Sequence, residues 1–229
     1  MRKEVDALKE KVAFACKILV VQGLADFLGH VSCKIPGTES VLISPRATDL
    51  AGIRKEDILT VNLKGDVVEG DGKPPSELPI HLSIYRLRQD VGSVIHTHPK
   101  FATLFSIVEE PIVPVHHLGV PFIDGVPLFD DYGLIDDTAM AERLAMALGN
   151  KKAVLLKNHG IVVVGRTVEE ACILSVWLEK NCELQLLSKI LGKVDAIPLE
   201  DKSKNLVNHY LERTVRAAWN YYVSLIKGF

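Results

Sequence analysis

The 229-residue sequence has no Cys-x-x-Cys pair, no basic block, no internal repeat, no low-complexity tract and no long linker. Each absence removes a class of function. The four cysteines (Cys16, Cys33, Cys172 and Cys182) lack the close spacing of a zinc or redox motif. Cys172 and Cys182 fall in an apolar helical pattern, which points to buried reduced thiols and hence to a cytoplasmic protein. A formal net charge of −2, with no run of Lys or Arg, argues against nucleic acid or an anionic membrane as partner. The apolar run in "FACKILVVQGLADFLG" is interrupted by Gln22 and Asp26, too short for a membrane span and unlike a signal peptide. What is present is ordinary for a globular chain: 48% apolar and 24% charged residues, enough for a single domain over residues 1–229.

Hydrophobic spacing sets the expected elements. Val5, Leu8, Val12, Ala15 and Leu19 recur at helical intervals and predict a helix over 4–22, ending near Gly23. "HVSCKI" and "VLIS" read as strands joined by the turn "PGTES", and "DILTVNLKGDVVEG" as two strands around Lys64–Asp66. A helix is expected to begin at Pro75 and Ser76 and to carry Ile80, Ile84 and Leu87 on one face. "GSVIHTH" then predicts a strand and "PIVPVHHLG" an extended segment. A helix over 137–148 closes at Gly149, and "KAVLLKNHGIVVVG" predicts a hairpin whose turn presents His159. Thr167 and Glu170 form a capping box for a long helix, and a tail helix from about 202 carries Trp219, Tyr221 and Tyr222. Strands alternating with helices, some joined by hairpins, imply a three-layer α/β/α domain with a mixed or antiparallel sheet.

Three features carry chemistry. On a strand, His96 and His98 in "SVIHTHPKFA" share one face, because side chains alternate. Two converging imidazoles suit a metal ion, whereas the plainer reading has both at a strand end bonded to backbone and water. His159 in the "NHG" turn reads as a polar turn residue or as a third ligand, which would leave a coordination position open for substrate. Glu77 reads as a first-turn carboxylate complementing a helix dipole, or as an acid/base beside the metal with a pKa raised by burial.

The stretches "GHVSCKI", "LISPRATDL", "PSE", "IHTHP" and "LLKNHGIVVVG", spread over roughly residues 5–192, together resemble the class II aldolase/adducin-head family. Its members include L-fuculose-phosphate aldolase and L-ribulose-phosphate epimerase. The resemblance implies a zinc-like divalent ion on His96, His98 and His159, with manganese, cobalt and iron as alternatives, and Glu77 as acid/base. It also implies a homotetramer with active sites between subunits, acting on a small molecule. Carbon–carbon cleavage would pass through a metal-chelated enediolate. The adducin branch, which lacks catalysis, is disfavoured because all three histidines are present.

Several positions depart from the sugar-phosphate aldolase pattern. The resemblance assigns the far end of the substrate to three loops, here "GHVS", "SPRAT" and "PSE", with His30, Ser44, Arg46 and Ser76 as substrate-binding candidates. His30 stands for Asn, Arg46-Ala47 for a small Ser-Gly pair, and Pro75 for Ser. An Arg fork suits a carboxylate, though it also grips phosphate. In "PVHHLG", His117 aligns with the family's tyrosine that reaches into a neighbouring site; two adjacent histidines on a strand would face opposite ways. These departures resemble a branch that decarboxylates hydroxylated aromatic acids. The expected activity is therefore a metal-dependent lyase, aldolase-type first and decarboxylase second, with epimerase third and a non-catalytic module last.

Overall fold

The computed structural model describes residues 2–198 and 203–227. Eight strands make one sheet in the order β4-β3-β2-β1-β5-β8-β7-β6: β1 (His30–Lys34), β2 (Ser40–Ile43), β3 (Leu59–Asn62), β4 (Val67–Glu69), β5 (Ser93–Thr97), β6 (Leu128–Phe129), β7 (Ala153–Leu156) and β8 (Gly160–Gly165). Every pairing is antiparallel except β6 with β7, so the sheet is mixed, as expected.

Period-two alternation divides the core between the two faces of this sheet. Val31, Leu42, Ile95, Ile161 and Val163 pack in one buried cluster, against α1 (Arg2–Val21), α3 (Lys100–Val108), α5 (Val168–Leu191) and α6 (Ser203–Lys227). Val41, Ile43, Val94, Val162 and Val164 pack in the other, against α2 (Leu78–Leu87) and α4 (Thr138–Leu148). By the same parity, His30 and Ser32 of β1 and His96 of β5 share the α2 face.

The helices follow the expected amphipathic patterns with local corrections. α2 begins at Leu78, with Glu77 at the N-cap position and Pro79 in its first turn, rather than at Pro75 and Ser76. Leu87, expected on the inner face, is 52% exposed at the helix end. Asp137 caps α4 by accepting from Met140 N–H. At α5, Thr167 accepts from Glu170 N–H, but the Glu170 carboxylate accepts from Arg166 N–H and pairs with Lys152 instead of closing the box. The expected start of the tail helix near 202 lies outside the described residues. All four cysteines are free and buried, and burial pushes the Cys16 and Cys33 thiols up to about 12.

α3, β6 and a short 3-10 turn (Lys55–Asp57) have no counterpart in the sequence expectations, and tertiary contacts explain α3 and its neighbourhood. Glu179 of α5, buried, accepts the Phe101 and Ala102 N–H groups at 2.8 Å each, satisfying donors that the first turn of α3 cannot pair itself. Asn181 and Gln185, two and six residues further along, hold the 111–115 segment with amide hydrogen bonds to Val113, Val115 and Pro111. That segment forms no helix or strand, and His116 follows it as the N-cap of a 3-10 turn (His117–Phe122), so the two histidines do not lie on a strand.

Candidate active site

The site is built at the paired ends of β5 and β8. Thr97 pairs with Ile161 at the end of both strands, and a Cβ on Gly160 would sit 2.3 Å from Thr97 O. Only glycine allows that approach. The preceding turn is fixed by Asn158, in the left-handed region at φ 54°, whose N–H bonds Ser106 Oγ of α3 at 3.2 Å. Lys157 anchors the same turn through ion pairs with Glu109 and with Asp130, the latter at 3.1 Å. The turn therefore stands at the strand ends beside β5, in the middle of the sheet rather than at its edge.

This geometry brings His96, His98 and His159 together. Their ring centroids lie 4.7–5.0 Å apart, with His98 and His159 stacked. One ligand atom from each lies within 4.8 Å of the others. His96 is fully buried, and its Nδ1 is 2.9 Å from Ile161 O. A carbonyl only accepts, so Nδ1 carries the proton and Nε2 is left as a lone pair. That Nε2 has no hydrogen-bond partner, yet it faces Glu77 Oε2, itself an acceptor, at 3.3 Å. Two acceptors in such proximity call for a shared cation.

Burial and the neighbouring imidazoles favour the neutral forms of His30, His98 and His159. Burial, then His96 and His159, push His98 down to about 3. Burial also lowers His159, and it takes His30 to about 4. Neutral imidazoles are what a divalent metal needs, and two of them, His98 and His159, beside the unpartnered Nε2 of His96 fit zinc, manganese, cobalt or iron.

Glu77 closes the group. Its Oε1 accepts from Ile135 N–H at 3.3 Å and stands 3.9 Å from His159 Nε2; its Oε2 is 3.6 Å from His30 Nε2. It makes no cap bond to its own helix. The expected rise in its pKa is corrected here: burial does push it up, but the close approach of the His30 and His96 imidazoles, with His159 beyond, outweighs burial and holds the carboxyl well below the usual range.

The remaining candidates scatter. His30, opposite His96 in register, is buried with Nδ1 2.6 Å from His81 Nε2 and joins Glu77 and His96 in a second group of potential ligands. The Ser44 hydroxyl, fully buried, accepts from Val31 N–H at 3.2 Å, tying the end of β2 to β1. Ser76 is half-buried just before Glu77. Arg46 is exposed; its backbone N–H bonds Lys73 O, and its guanidinium has no protein partner among the described residues. His116 and His117 are exposed, rings 5.9 Å apart, and neither joins the histidine group of its own chain.

The sequence reading missed His81, Ser32, Tyr85 and Ile135. For the first three a signal was present: Glu77, His81 and Tyr85 are spaced by four on one helix face, and His30 and Ser32 by two on one strand face. Ile135 arrives on a loop and left none.

The family model of the Class II Aldolase and Adducin N-terminal domain matches residues 10–186. A 5-deoxy-D-ribulose 1-phosphate aldolase of Bacillus thuringiensis serovar kurstaki is 28% identical over 203 residues, 88% of this chain and 94% of the relative. A 3,4-dihydroxyphthalate decarboxylase of Arthrobacter keyseri is 32% identical over 211 residues, 86% of this chain and 85% of the relative. The solved L-fuculose 1-phosphate aldolase of Glaciozyma antarctica PI12 superposes with a TM-score of 0.83 at 26% identity, covering 98% of this chain and 90% of that one.

Proposed function

Because the chain belongs to the family of the Class II Aldolase and Adducin N-terminal domain, we propose that it is a divalent-metal-dependent carbon–carbon lyase acting on a small molecule. The observation that carries this reading is the unpartnered, buried Nε2 of His96 facing a carboxylate beside two further neutral imidazoles. His96, His98 and His159 would hold one ion per subunit, zinc first. When bound, such an ion acts as a Lewis acid for the negative charge that develops beside a carbonyl as a carbon–carbon bond breaks. Glu77, withdrawn from its helix and open to the same space, takes up or returns the proton at the reacting carbon or oxygen.

Aldol cleavage of a hydroxy-carbonyl compound is the leading reaction. Decarboxylation of a hydroxylated carboxylic acid is the second reading, favoured by His30 in place of a small amide and by relatives that bear decarboxylase names. Both generate carbanion character at the same atom, so one set of ligands serves either. Arg46 and Ser76, outside the histidine group, are assigned to the mouth of the pocket, where the Arg46 fork would meet a carboxylate or phosphate. The exposed His117 is offered to a neighbouring subunit, in keeping with a homotetramer whose sites lie between chains. No described helix is long and apolar enough to cross a membrane, and four buried free thiols suit the cytoplasm.

The test combines metal analysis of the purified protein with a screen of sugar phosphates against hydroxylated aromatic acids. Aldehyde release supports the first reading and CO₂ release the second. Turnover that persists after full metal removal ends both.

A further inference from the structure

Behind Glu77 a line of buried polar groups runs into the protein and ends at a tyrosine. His30 Nε2 faces Glu77 Oε2 at 3.6 Å; His30 Nδ1 is 2.6 Å from His81 Nε2; His81 Nδ1 is 2.6 Å from Ser32 Oγ; and Ser32 Oγ is 2.7 Å from Tyr85 Oη. His81, Ser32 and Tyr85 are at most 1% exposed and His30 is 6% exposed, so water does not substitute for any link. We infer that His81, Ser32 and Tyr85 are positioning residues whose hydrogen bonds run one way, locking His30 as its Nε2–H tautomer and aiming that N–H at Glu77.

The direction follows from counting donors. A neutral imidazole has one donor and one acceptor nitrogen, so fixing one link fixes the next. With the Ser32 hydrogen on His81 Nδ1, His81 Nε2 must donate to His30 Nδ1, and His30 Nε2 must then carry its hydrogen toward the carboxylate. Tyr85 donates to Ser32, and each group has a partner. The opposite order turns the Ser32 hydrogen to Tyr85 Oη at 2.7 Å, leaves the buried Tyr85 hydrogen no side-chain acceptor among the described residues, and sets a bare His30 Nε2 against the Glu77 carboxylate, acceptor facing acceptor.

The order has a consequence for the two groups of potential ligands. A nitrogen that bears hydrogen cannot ligate, so the set His30, Glu77 and His96 is closed to a metal through His30 Nε2. His96, with its proton on the opposite nitrogen, stays open. The value of the lock to turnover rests on the proposed role of Glu77, but the tautomer itself does not.

Long-range ¹H–¹⁵N spectra of the full chain, metal-free and labelled at histidine nitrogens, read the tautomers directly, with single His→Asn variants for assignment. The expected result is hydrogen on Nε2 of both His30 and His81. Ser32→Ala removes the donor to His81 and should abolish the single-tautomer pattern, whereas Tyr85→Phe keeps the Ser32–His81 bond and should retain it. Hydrogen on His30 Nδ1 in the unmodified chain overturns the inference, as does a pattern unchanged by Ser32→Ala. If Ser32→Ala fails to fold, the unmodified chain decides alone. The measurement uses neither metal nor substrate, so a failed lyase assay leaves it standing and its own failure leaves the lyase proposal standing.

Discussion

Two histidine groups meet at His96, and they differ in what their second nitrogens touch. In the outer group, His96 gives one nitrogen to a backbone carbonyl and leaves the other bare, and His98 and His159 stand half-buried at the strand ends. In the inner group, His30 and His81 are buried and engaged at both nitrogens. The same side chain thus offers a lone pair in one place and a directed N–H a few ångströms away. Residue type alone does not make a ligand; the partner of the far nitrogen does.

The sharpest way to break this comparison is to remove the shared residue. His96→Ala should lose bound metal and bring turnover to background, whereas His81→Ala should keep the metal; atomic emission on purified protein reads both. Equal loss from the two would erase the distinction between the groups.

Glu77 borders both groups and is the next largest test. Glu77→Gln keeps the shape but not the titratable oxygen, and should lower turnover by ~10²–10⁴ with the fold intact. Circular dichroism beside a product assay separates chemistry from folding, and unchanged turnover would reduce Glu77 to a structural acceptor.

Gly160→Ala tests how the outer group is assembled. Its Cβ would meet Thr97 O at 2.3 Å, so β8 must shift from β5 and carry His159 with it. Overpacking of this kind costs about 1–3 kcal/mol, and metal affinity should fall along with stability in a urea titration. Loss of stability with affinity unchanged would mean that His159 is not needed to hold the ion.

The smallest effect is on pH dependence. His30 and His98 titrate near 4 and 3 when folded, below the unfolded value of about 6.5. The unfolded chain therefore binds protons first, so their contribution is complete above about pH 6.5 and is lost as pH falls toward 4 and then 3. The urea midpoint of the metal-free protein should drop between pH 7 and pH 5. His98→Asn should flatten that drop, and an equally steep fall in this variant would assign the acid sensitivity elsewhere.

Local pattern was enough to find much of this. Alternation put His96 and His98 on one face, the "NHG" turn offered His159, and helical spacing marked α1, α4 and α5. Local pattern also misled where geometry is not periodic. "VHHLG" reads as extended but tightens into a 3-10 turn.

By itself, then, the sequence determined the sheet-and-helix plan and the pairing of His96 with His98, which rest on spacing within a few residues, and its motifs carried the resemblance that implied the ligand triad. Tertiary structure alone decided which nitrogen is free. His96 owes its bare Nε2 to a carbonyl 65 positions away, and His30 is tied to His81 across 51. The start of α3 is likewise held by Glu179, 78 residues beyond Phe101. Hydrogen bonds between residues so distant in the chain leave no local periodicity to read, yet they set the tautomers on which the proposed chemistry depends.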